Sequence, residues 1–147
     1  MNLQQPRPKP HIDSPDQPVV EDRATLEFYV ERDGARYAGV HLLVDLYGGT
    51  GLNDPDHIED VLRRGATDAG AIVLSVNLHH FSPEGVSGVA VLAESHISIH
   101  SWPEAGYAAL DVFMCGDCDP HAAIKAFREG FATDDIVVTE KLRGKFR

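Results

Sequence analysis

The hydrophobic pattern of the chain predicts seven β-strands and two helices. The clearest strand is the segment from His41 to Tyr47, which is almost continuously apolar, as is typical of a central strand of a sheet. The other strand segments are short apolar stretches separated by turns that contain glycine or proline. We expect strands over residues 24–30, 37–47, 71–81, 86–94, 96–102, 107–115 and 135–142.

The two helices are predicted by a different spacing of apolar residues. In the first helix, apolar side chains recur at i, i+3, i+4 and i+8 from Ile58, and Gly70 ends the helix. Asn53 or Asp54 provides the N-cap, before a proline at the first helical position. The second helix covers residues 120–131. The side chains expected to face the core are Ile58, Val61, Leu62 and Ala66 in the first helix and Ala123, Ile124 and Phe127 in the second.

The order of these elements predicts an α+β fold. A helix follows the first strands, several hairpin-linked strands come next, and a helix and a strand complete the order. This favours a two-layer α/β sandwich, in which two helices cover one face of an antiparallel sheet. We expect a single domain over residues 23–147. Residues 1–22 are rich in proline and lack apolar periodicity, so they are predicted to form a disordered or loosely attached arm.

Composition and charge argue against several classes of function. The chain has 147 residues and a net charge of −10, which argues against nucleic acid or an anionic membrane as a partner. No apolar run approaches the roughly 18 residues of a membrane-spanning helix, and the first residues lack the apolar segment of a secretory signal. Two cysteines, Cys115 and Cys118, are too few for a disulfide scaffold, so we expect a cytoplasmic protein.

Reactive side chains concentrate in one stretch of the chain. Ser95, His96, His100, Glu104 and Cys115 all fall within it, among strand-forming apolar residues rather than in a polar loop. Hydroxyl, imidazole, carboxyl and thiol groups at such density on a β framework indicate a chemical site.

The turn between two of these strands predicts which side chains face each other. A turn centred on Ala105 places Ser95 directly opposite Cys115, on the same face of the sheet. His100 lies five positions after Ser95, so it points to the other face, about 16 Å along the strand. If both residues act in one site, a second copy of the chain supplies one of them. The spacing therefore favours a dimer with shared active sites.

A metal site is the alternative interpretation of the same stretch. His96 and His100 alternate on one face, and Cys115 and Cys118 form a C-x-x-C pair. These two histidines and two cysteines are a possible zinc set, although one C-x-x-C between a strand and a helix is weak evidence. The chain would then be an unprocessed metal-binding or regulatory subunit. Our main interpretation assigns no metal ligands.

One long motif resembles a known family. Residues 85–104, GVSGVAVLAESHISIHSWPE, and residues 106–116, GYAALDVFMCG, are closely similar to prokaryotic S-adenosylmethionine decarboxylase proenzymes. Residues 41–48 and 80–83 fit the same pattern. The resemblance covers about residues 38–142, and the N-terminal arm lies outside it.

The resemblance implies an enzyme that makes its own cofactor. Ser95 Oγ attacks the carbonyl carbon of Glu94 to give an ester, and loss of the Ser95 α-proton then eliminates the Glu94 carboxylate. The dehydroalanine that remains hydrolyses to a pyruvoyl group and ammonia, which leaves a β chain of residues 1–94 and an α chain of residues 95–147. The pyruvoyl ketone forms a Schiff base with the substrate amine and acts as an electron sink as carbon dioxide leaves.

Further site residues are implied by the same resemblance. His100 is the base that takes the α-proton during processing, as suits an imidazole at neutral pH, and Ser87 supports the processing intermediate. Cys115 is the proton donor to the carbanion carbon after decarboxylation. Phe81 stacks on the adenine of the substrate, and Glu104 binds its ribose hydroxyls.

The implied activity is decarboxylation of S-adenosylmethionine, which supplies the aminopropyl donor for spermidine biosynthesis. The resemblance implies a homodimer of processed αβ protomers that pack as a larger sandwich. The residues that reach the partner's site are then Phe81, Ser87, His100 and Glu104. The same scaffold could instead decarboxylate ornithine or arginine, but the nucleoside-binding roles of Phe81 and Glu104 favour S-adenosylmethionine.

Overall fold

The structure is a computed structural model that describes residues 29–93 and 95–146. The strands of this part are β1 (Val30–Arg32), β2 (Ala35–Leu46), β3 (Val73–His80), β4 (Val86–Leu92), β5 (Ser95–Trp102), β6 (Tyr107–Met114) and β7 (Ile136–Lys145). Its helices are α1 (Pro55–Asp68) and α2 (Ala122–Gly130), and a 3-10 turn, Pro103–Ala105, follows β5. Neither α-helix has the length and apolar character needed to cross a bilayer.

The strands form one antiparallel sheet in the order β1-β2-β6-β5-β4-β3, with β7 also paired to β2. Tyr37 of β2 pairs with both Val30 of β1 and Lys145 of β7, so β1 and β7 lie on opposite edges of β2. Val40 of β2 pairs with Met114 of β6 and also with a residue of β7. The strand β6 therefore lies on the edge of β2 opposite β7, which is the edge that β1 occupies. The strands β1 and β6 thus lie one after the other along the same edge of β2. The strand β1 lies beyond the end of the sheet at which β6 stops and β5 begins.

Both helices pack on one face of the sheet, and the core lies between the two layers. The buried apolar side chains of the helices include Ile58, Val61, Leu62 and Ala66 of α1 and Ala123, Ile124 and Phe127 of α2. Each large apolar side chain buried in this way stabilises the fold by about 1.5–3 kcal/mol. These are the side chains predicted from apolar spacing, and the α+β sandwich with two helices on one face is confirmed.

The other face of the sheet, here called the open face, has no helix over it in the described part of the chain. Apolar residues on this face are exposed: Leu43 by 48%, Val91 by 38% and Val137 by 52%. Leu43 and Val137 lie on the paired strands β2 and β7, and Val91 lies on β4.

The first helix begins at the cap that its sequence predicts. Asp54 Oδ1 accepts hydrogen bonds from the backbone amides of Asp56, at 3.1 Å, and His57, at 3.3 Å. The cap is therefore Asp54 rather than Asn53, whose side chain has other partners. Gly70, with a φ of 83°, follows the last turn of the helix.

The register between β5 and β6 corrects a prediction. Trp102 pairs with Tyr107, and Ser95 therefore pairs with Met114 rather than with Cys115. The prediction centred the turn on Ala105, whereas the centre falls one half-residue earlier, because the loop between the paired ends is Pro103–Gly106. Gly106 closes this loop in the left-handed conformation, with a φ of 62°.

The N-terminal strands also differ from the prediction. The strand expected over residues 24–30 appears as β1, Val30–Arg32, and residues 24–28 lie outside the described residues. A two-residue turn, Asp33-Gly34, with φ values of 51° and 76°, joins it to β2, which begins earlier than expected. Asp-Gly is a common hairpin signal that the sequence prediction did not use. The predicted arm, residues 1–22, lies outside the described residues.

Candidate active site

Ser95 and Cys115 lie at the end of the sheet where β5 begins and β6 stops. Ser95 pairs with Met114 on one side and Leu92 on the other, and both of these side chains are buried against the helices. Ser95 has a backbone φ of 155°, which L-residues rarely adopt. Cys115 follows Met114 directly, is 6% exposed and is not in a disulfide. Glu94 lies outside the described residues.

A second group of predicted site residues lies on the open face. Ser87 of β4 and His100 of β5 pair with each other, and His79 of β3, which was not a predicted site residue, extends the same row. Ser87 Oγ lies 2.9 Å from His100 Nδ1, so the two side chains are hydrogen-bonded. The ring of Phe81 lies 4.4 Å from that of His79 and is 49% exposed. The pairing register thus brings Ser87 and His100 together, with Phe81 beside the same row.

The two groups are separate within one protomer. Because side chains alternate along a strand, Ser95 lies on the same side of β5 as Ile97 and Ile99, which are buried on the helix side. His100 lies on the other side and is exposed on the open face. Five residues of strand separate Ser95 from His100, about 16 Å. Glu104 is exposed on the 3-10 turn, still further from Ser95. The strand geometry places the predicted catalytic residues at different positions on one sheet.

Asp111, to which the sequence analysis gave no role, is the centre of a polar cluster on the open face. Its Oδ2 lies 2.6 Å from His41 Nε2 and 3.0 Å from His96 Nε2, and Ser98 Oγ donates to its Oδ1. Burial raises the pKa of the Asp111 carboxyl, but the hydrogen bonds from Ser98, His41 and His96 outweigh it and hold that pKa below its ordinary value. The signal available in the sequence was a carboxylate in the middle of an apolar strand.

The same cluster bears on the metal-site alternative. In the described ranges, the one group of three possible ligands with donor atoms within 4.8 Å of one another is His41, His96 and Asp111. The zinc set suggested by the sequence combined His96 with His100, Cys115 and Cys118. The described part of the chain does not bring these four residues together as one group of ligands.

The hydrogen bonds of His41 do not favour metal binding by this group. Arg143 Nη1 lies 2.9 Å from His41 Nδ1, and a guanidinium can only donate. His41 Nδ1 is therefore the acceptor, and the proton sits on Nε2, where it is donated to Asp111. A metal at Nε2 needs that position deprotonated, with the Arg143 contact broken. The arrangement is that of a hydrogen-bond network.

Aromatic residues cover the far end of the open face. The Trp102 and Tyr107 rings stack at 5.3 Å, and Tyr47 lies 5.3 Å from Tyr107 on its other side. Tyr107 donates its hydroxyl proton to Asp45, at 2.7 Å. That hydrogen bond, with burial and the negative charge of Asp45, raises the pKa of Tyr107 to about 12.

Comparison with known proteins identifies related sequences. The family model described as S-adenosylmethionine decarboxylase matches residues 40–144. The S-adenosylmethionine decarboxylase proenzyme of Clostridium kluyveri is 47% identical over 111 residues, which cover 74% of this chain and 88% of the relative. The proenzyme of Moorella thermoacetica is 46% identical over 112 residues, covering 74% and 90%.

A solved structure resembles the fold as well. The crystal structure of the adenosylmethionine decarboxylase from Aquifex aeolicus superposes with a TM-score of 0.67 at 34% identity and covers 74% of this chain and 92% of that one. The residues matched by the family model begin within β2, end within β7 and include Ser95, His100 and Cys115. By sequence and by fold, the chain belongs to the S-adenosylmethionine decarboxylase family.

Proposed function

We propose that this chain is a proenzyme that cleaves itself between Glu94 and Ser95 and then decarboxylates S-adenosylmethionine. The observation that carries the proposal is family membership over residues 40–144, which include every residue to which the resemblance gives a role. Ornithine and arginine are not favoured as substrates, because the relatives are named as S-adenosylmethionine decarboxylase proenzymes.

The position of Ser95 fits a pyruvoyl group. A serine is the residue whose β-elimination leaves the dehydroalanine that hydrolyses to pyruvoyl, and this serine opens a strand, directly after the bond to be cleaved. Its unusual φ favours a reaction that relieves the local conformation. The pyruvoyl ketone supplies a carbonyl that reacts with the substrate amine and accepts the electron pair released as carbon dioxide leaves.

The Ser87–His100 pair supports a base role for His100. When His100 Nδ1–H donates to Ser87 Oγ, the lone pair on Nε2 is available to take the Ser95 α-proton. Ser87 then holds the orientation of the ring. Cys115, buried beside the paired Met114, is the group we assign as proton donor to the substrate carbon after decarboxylation.

A dimer with shared sites reconciles these roles with the distances. His100 and Ser87 lie on the open face, about 16 Å from Ser95 of their own chain, so they cannot act on it there. The exposed Leu43, Val91 and Val137 offer an apolar surface for a second copy. We propose that a partner packed on the open face brings its Phe81, Ser87, His100 and Glu104 to the Ser95 end.

A cytoplasmic location fits the same proposal. Cys115 and Cys118 are both outside any disulfide, as a reducing compartment requires.

The proposal is tested by intact mass and by release of carbon dioxide. The purified protein should give two fragments, residues 1–94 and 95–147, and the second should carry a pyruvoyl group at its N-terminus. Carboxyl-labelled S-adenosylmethionine should release labelled carbon dioxide, whereas labelled ornithine and arginine should not. The Ser95→Ala variant is the control, and we expect a single uncleaved chain without activity.

Two results would overturn this function. A wild-type protein of one full-length mass, inert towards S-adenosylmethionine, would exclude self-processing. Cleavage with release of carbon dioxide only from ornithine or arginine would show that the scaffold is shared but the substrate is different.

A further inference from the structure

We propose that Asn53 is a positioning residue for the Phe81 loop, defined as residues 81–85 between β3 and β4. The inference rests on the proposed function, because that function assigns Phe81 to the adenine of the substrate. Asn53 contacts Gly85, before the start of β4, whereas Ser95 pairs with Leu92 at the other end of that strand. Its role is to hold the loop that presents Phe81.

One atom of Asn53 holds both ends of the loop. Asn53 Oδ1 accepts a hydrogen bond from the backbone N–H of Gly85, at 2.9 Å, and lies 3.0 Å from His80 Nε2. Since a backbone N–H can only donate, the amide oxygen is correctly assigned, and His80 Nε2 must carry a proton to donate as well. The loop is closed internally by the Phe81 N–H, which donates to the Gly85 carbonyl at 2.8 Å.

A buried serine reinforces the same attachment one residue further on. Ser101 Oγ donates to the Leu52 carbonyl, at 2.7 Å, and accepts from the Val86 N–H, at 2.9 Å. Leu52 and Val86 directly adjoin Asn53 and Gly85. The segment before α1 is therefore tied to the start of β4 through two consecutive residues, and the strand that carries His100 supplies the link.

The attachment matters because Phe81 has little else to fix it. Its ring is 49% exposed and contacts His79 at 4.4 Å. Stacking on an adenine requires the ring plane to be held, and ordering a mobile loop on binding weakens affinity. Asn53 also lines a cleft of about 330 Å³ with Pro103, the neighbour of Glu104. One segment thus adjoins both residues to which we assign nucleoside contacts.

Loss of the Asn53 amide should affect binding rather than chemistry. Without it, the loop samples more conformations before the nucleoside binds, while Ser95, His100 and Cys115 keep their own contacts. One hydrogen bond of this kind changes an equilibrium by roughly 3- to 10-fold. We therefore expect a rise in KM of that size with kcat unchanged.

The experiment compares Asn53→Ala and Asn53→Asp with Thr67→Ala in the processed enzyme. Thr67 donates an exposed side-chain hydrogen bond on α1, to the Arg63 carbonyl at 2.9 Å, so its variant controls for loss of such a bond elsewhere on the protein. We measure KM and kcat for S-adenosylmethionine and the inhibition constant of 5′-methylthioadenosine, which carries the nucleoside without the reacting amine.

Asn53→Ala should raise KM and the inhibition constant together, by about 3- to 10-fold, and leave kcat and cleavage unchanged. Asn53→Asp keeps an oxygen acceptor for both donors and should stay within about twofold of wild type, as should Thr67→Ala.

Unchanged KM and inhibition constants in an active Asn53→Ala enzyme would overturn the positioning role alone. Equal losses in Asn53→Ala and Asn53→Asp, or a fall in kcat with KM unchanged, would also contradict it. Failure of the wild-type protein to cleave or to decarboxylate would instead contradict the proposed function, so the two failures are distinguishable.

Discussion

At the scale of single residues, Asp111 shows how a carboxylate is accommodated in an apolar strand. Three donors reach it, from β2 and β5, the two strands that flank its own. A half-buried carboxylate with every oxygen hydrogen-bonded is stable as an anion, whereas one without partners is not. The cluster therefore contributes to holding the three central strands in register next to Ser95.

Asp111→Asn should lower the free energy of unfolding by about 1–3 kcal/mol at pH 7, because the amide offers one acceptor fewer and places N–H groups against imidazole donors. The pKa of Asp111 is lowered in the folded state, so its stabilising effect is complete above about pH 5. The effect is lost as pH falls below the ordinary carboxyl pKa of about 4 towards the lowered value. The difference in the free energy of unfolding between Asp111→Asn and wild type should therefore be smaller at low pH.

Urea unfolding at pH 7 and pH 3.5 measures this, in a Ser95→Ala background so that each chain remains intact, at one protein concentration. Asp60→Asn, which changes an exposed carboxylate on α1, is the control and should differ from the background by less than about 0.5 kcal/mol. A difference between Asp111→Asn and the background that stays constant or grows at low pH would contradict the assigned role of the carboxylate.

At the scale of elements, ends and turns decide which side chains meet. The 3-10 turn after β5 shifts the expected hairpin register by one residue, which replaces Cys115 by Met114 opposite Ser95. The start of α1 likewise decides the contacts of two neighbouring residues. Asp54 accepts the hydrogen bonds of the first helix amides, so the side chain of Asn53 remains available to Gly85 and His80. Two adjacent residues that both favour N-caps thus have different roles.

Asp54→Ala should lower the free energy of unfolding by about 1 kcal/mol, because the amides of Asp56 and His57 lose their acceptor. Asp56→Ala removes only a charge from the first helical turn and should cost a few tenths of a kcal/mol. Thermal unfolding of both variants in the Ser95→Ala background measures the difference. Equal melting temperatures for the two variants would show that Asp54 is not the effective cap.

At the scale of the whole molecule, the proposed function divides the site residues of one sheet into two half-sites. The reactive end holds Ser95 and Cys115, and the open face holds the His79, Ser87 and His100 row with Phe81 beside it. Neither half can complete the proposed chemistry alone, because strand geometry fixes their separation. The proposed dimer would bring half-sites from different copies together.

Co-expression of Ser95→Ala and His100→Ala chains should restore cleavage that neither variant shows alone. In a mixed dimer, the His100→Ala chain retains Ser95 and faces the intact His100 of its partner. We therefore expect all cleaved fragments to derive from the His100→Ala chain, as intact mass of differently tagged chains will show. Co-expression of His100→Ala with a Ser95→Ala/His100→Ala chain is the control and should give no cleavage, because neither chain supplies His100.

Absence of cleavage in the mixed dimers, with both chains folded and associated, would argue that Ser95 and His100 act within one protomer. Cleavage of His100→Ala chains without a partner would argue that His100 is not the base.

Much of the fold follows from local pattern. Apolar spacing predicts the faces of α1 and α2, since a helix repeats every 3.6 residues whatever it packs against, and alternation places His96 and His100 on one face. The β5–β6 register could not be predicted in this way, because amino-acid composition does not distinguish two turns whose centres differ by half a residue. The partners of Asp111 and Asn53 do not follow from local pattern either, because they include His41 and Gly85, which are distant from them in sequence.

The sequence by itself determined the α+β order of elements, the helix faces and the family, because periodicity and a long specific motif are properties of the chain alone. Only the tertiary structure decided which residues share a row of the sheet, which carboxylate collects the histidines and which asparagine holds the Phe81 loop. Those contacts depend on strand register and turn geometry, and these are set by the packing of the whole sheet against its helices.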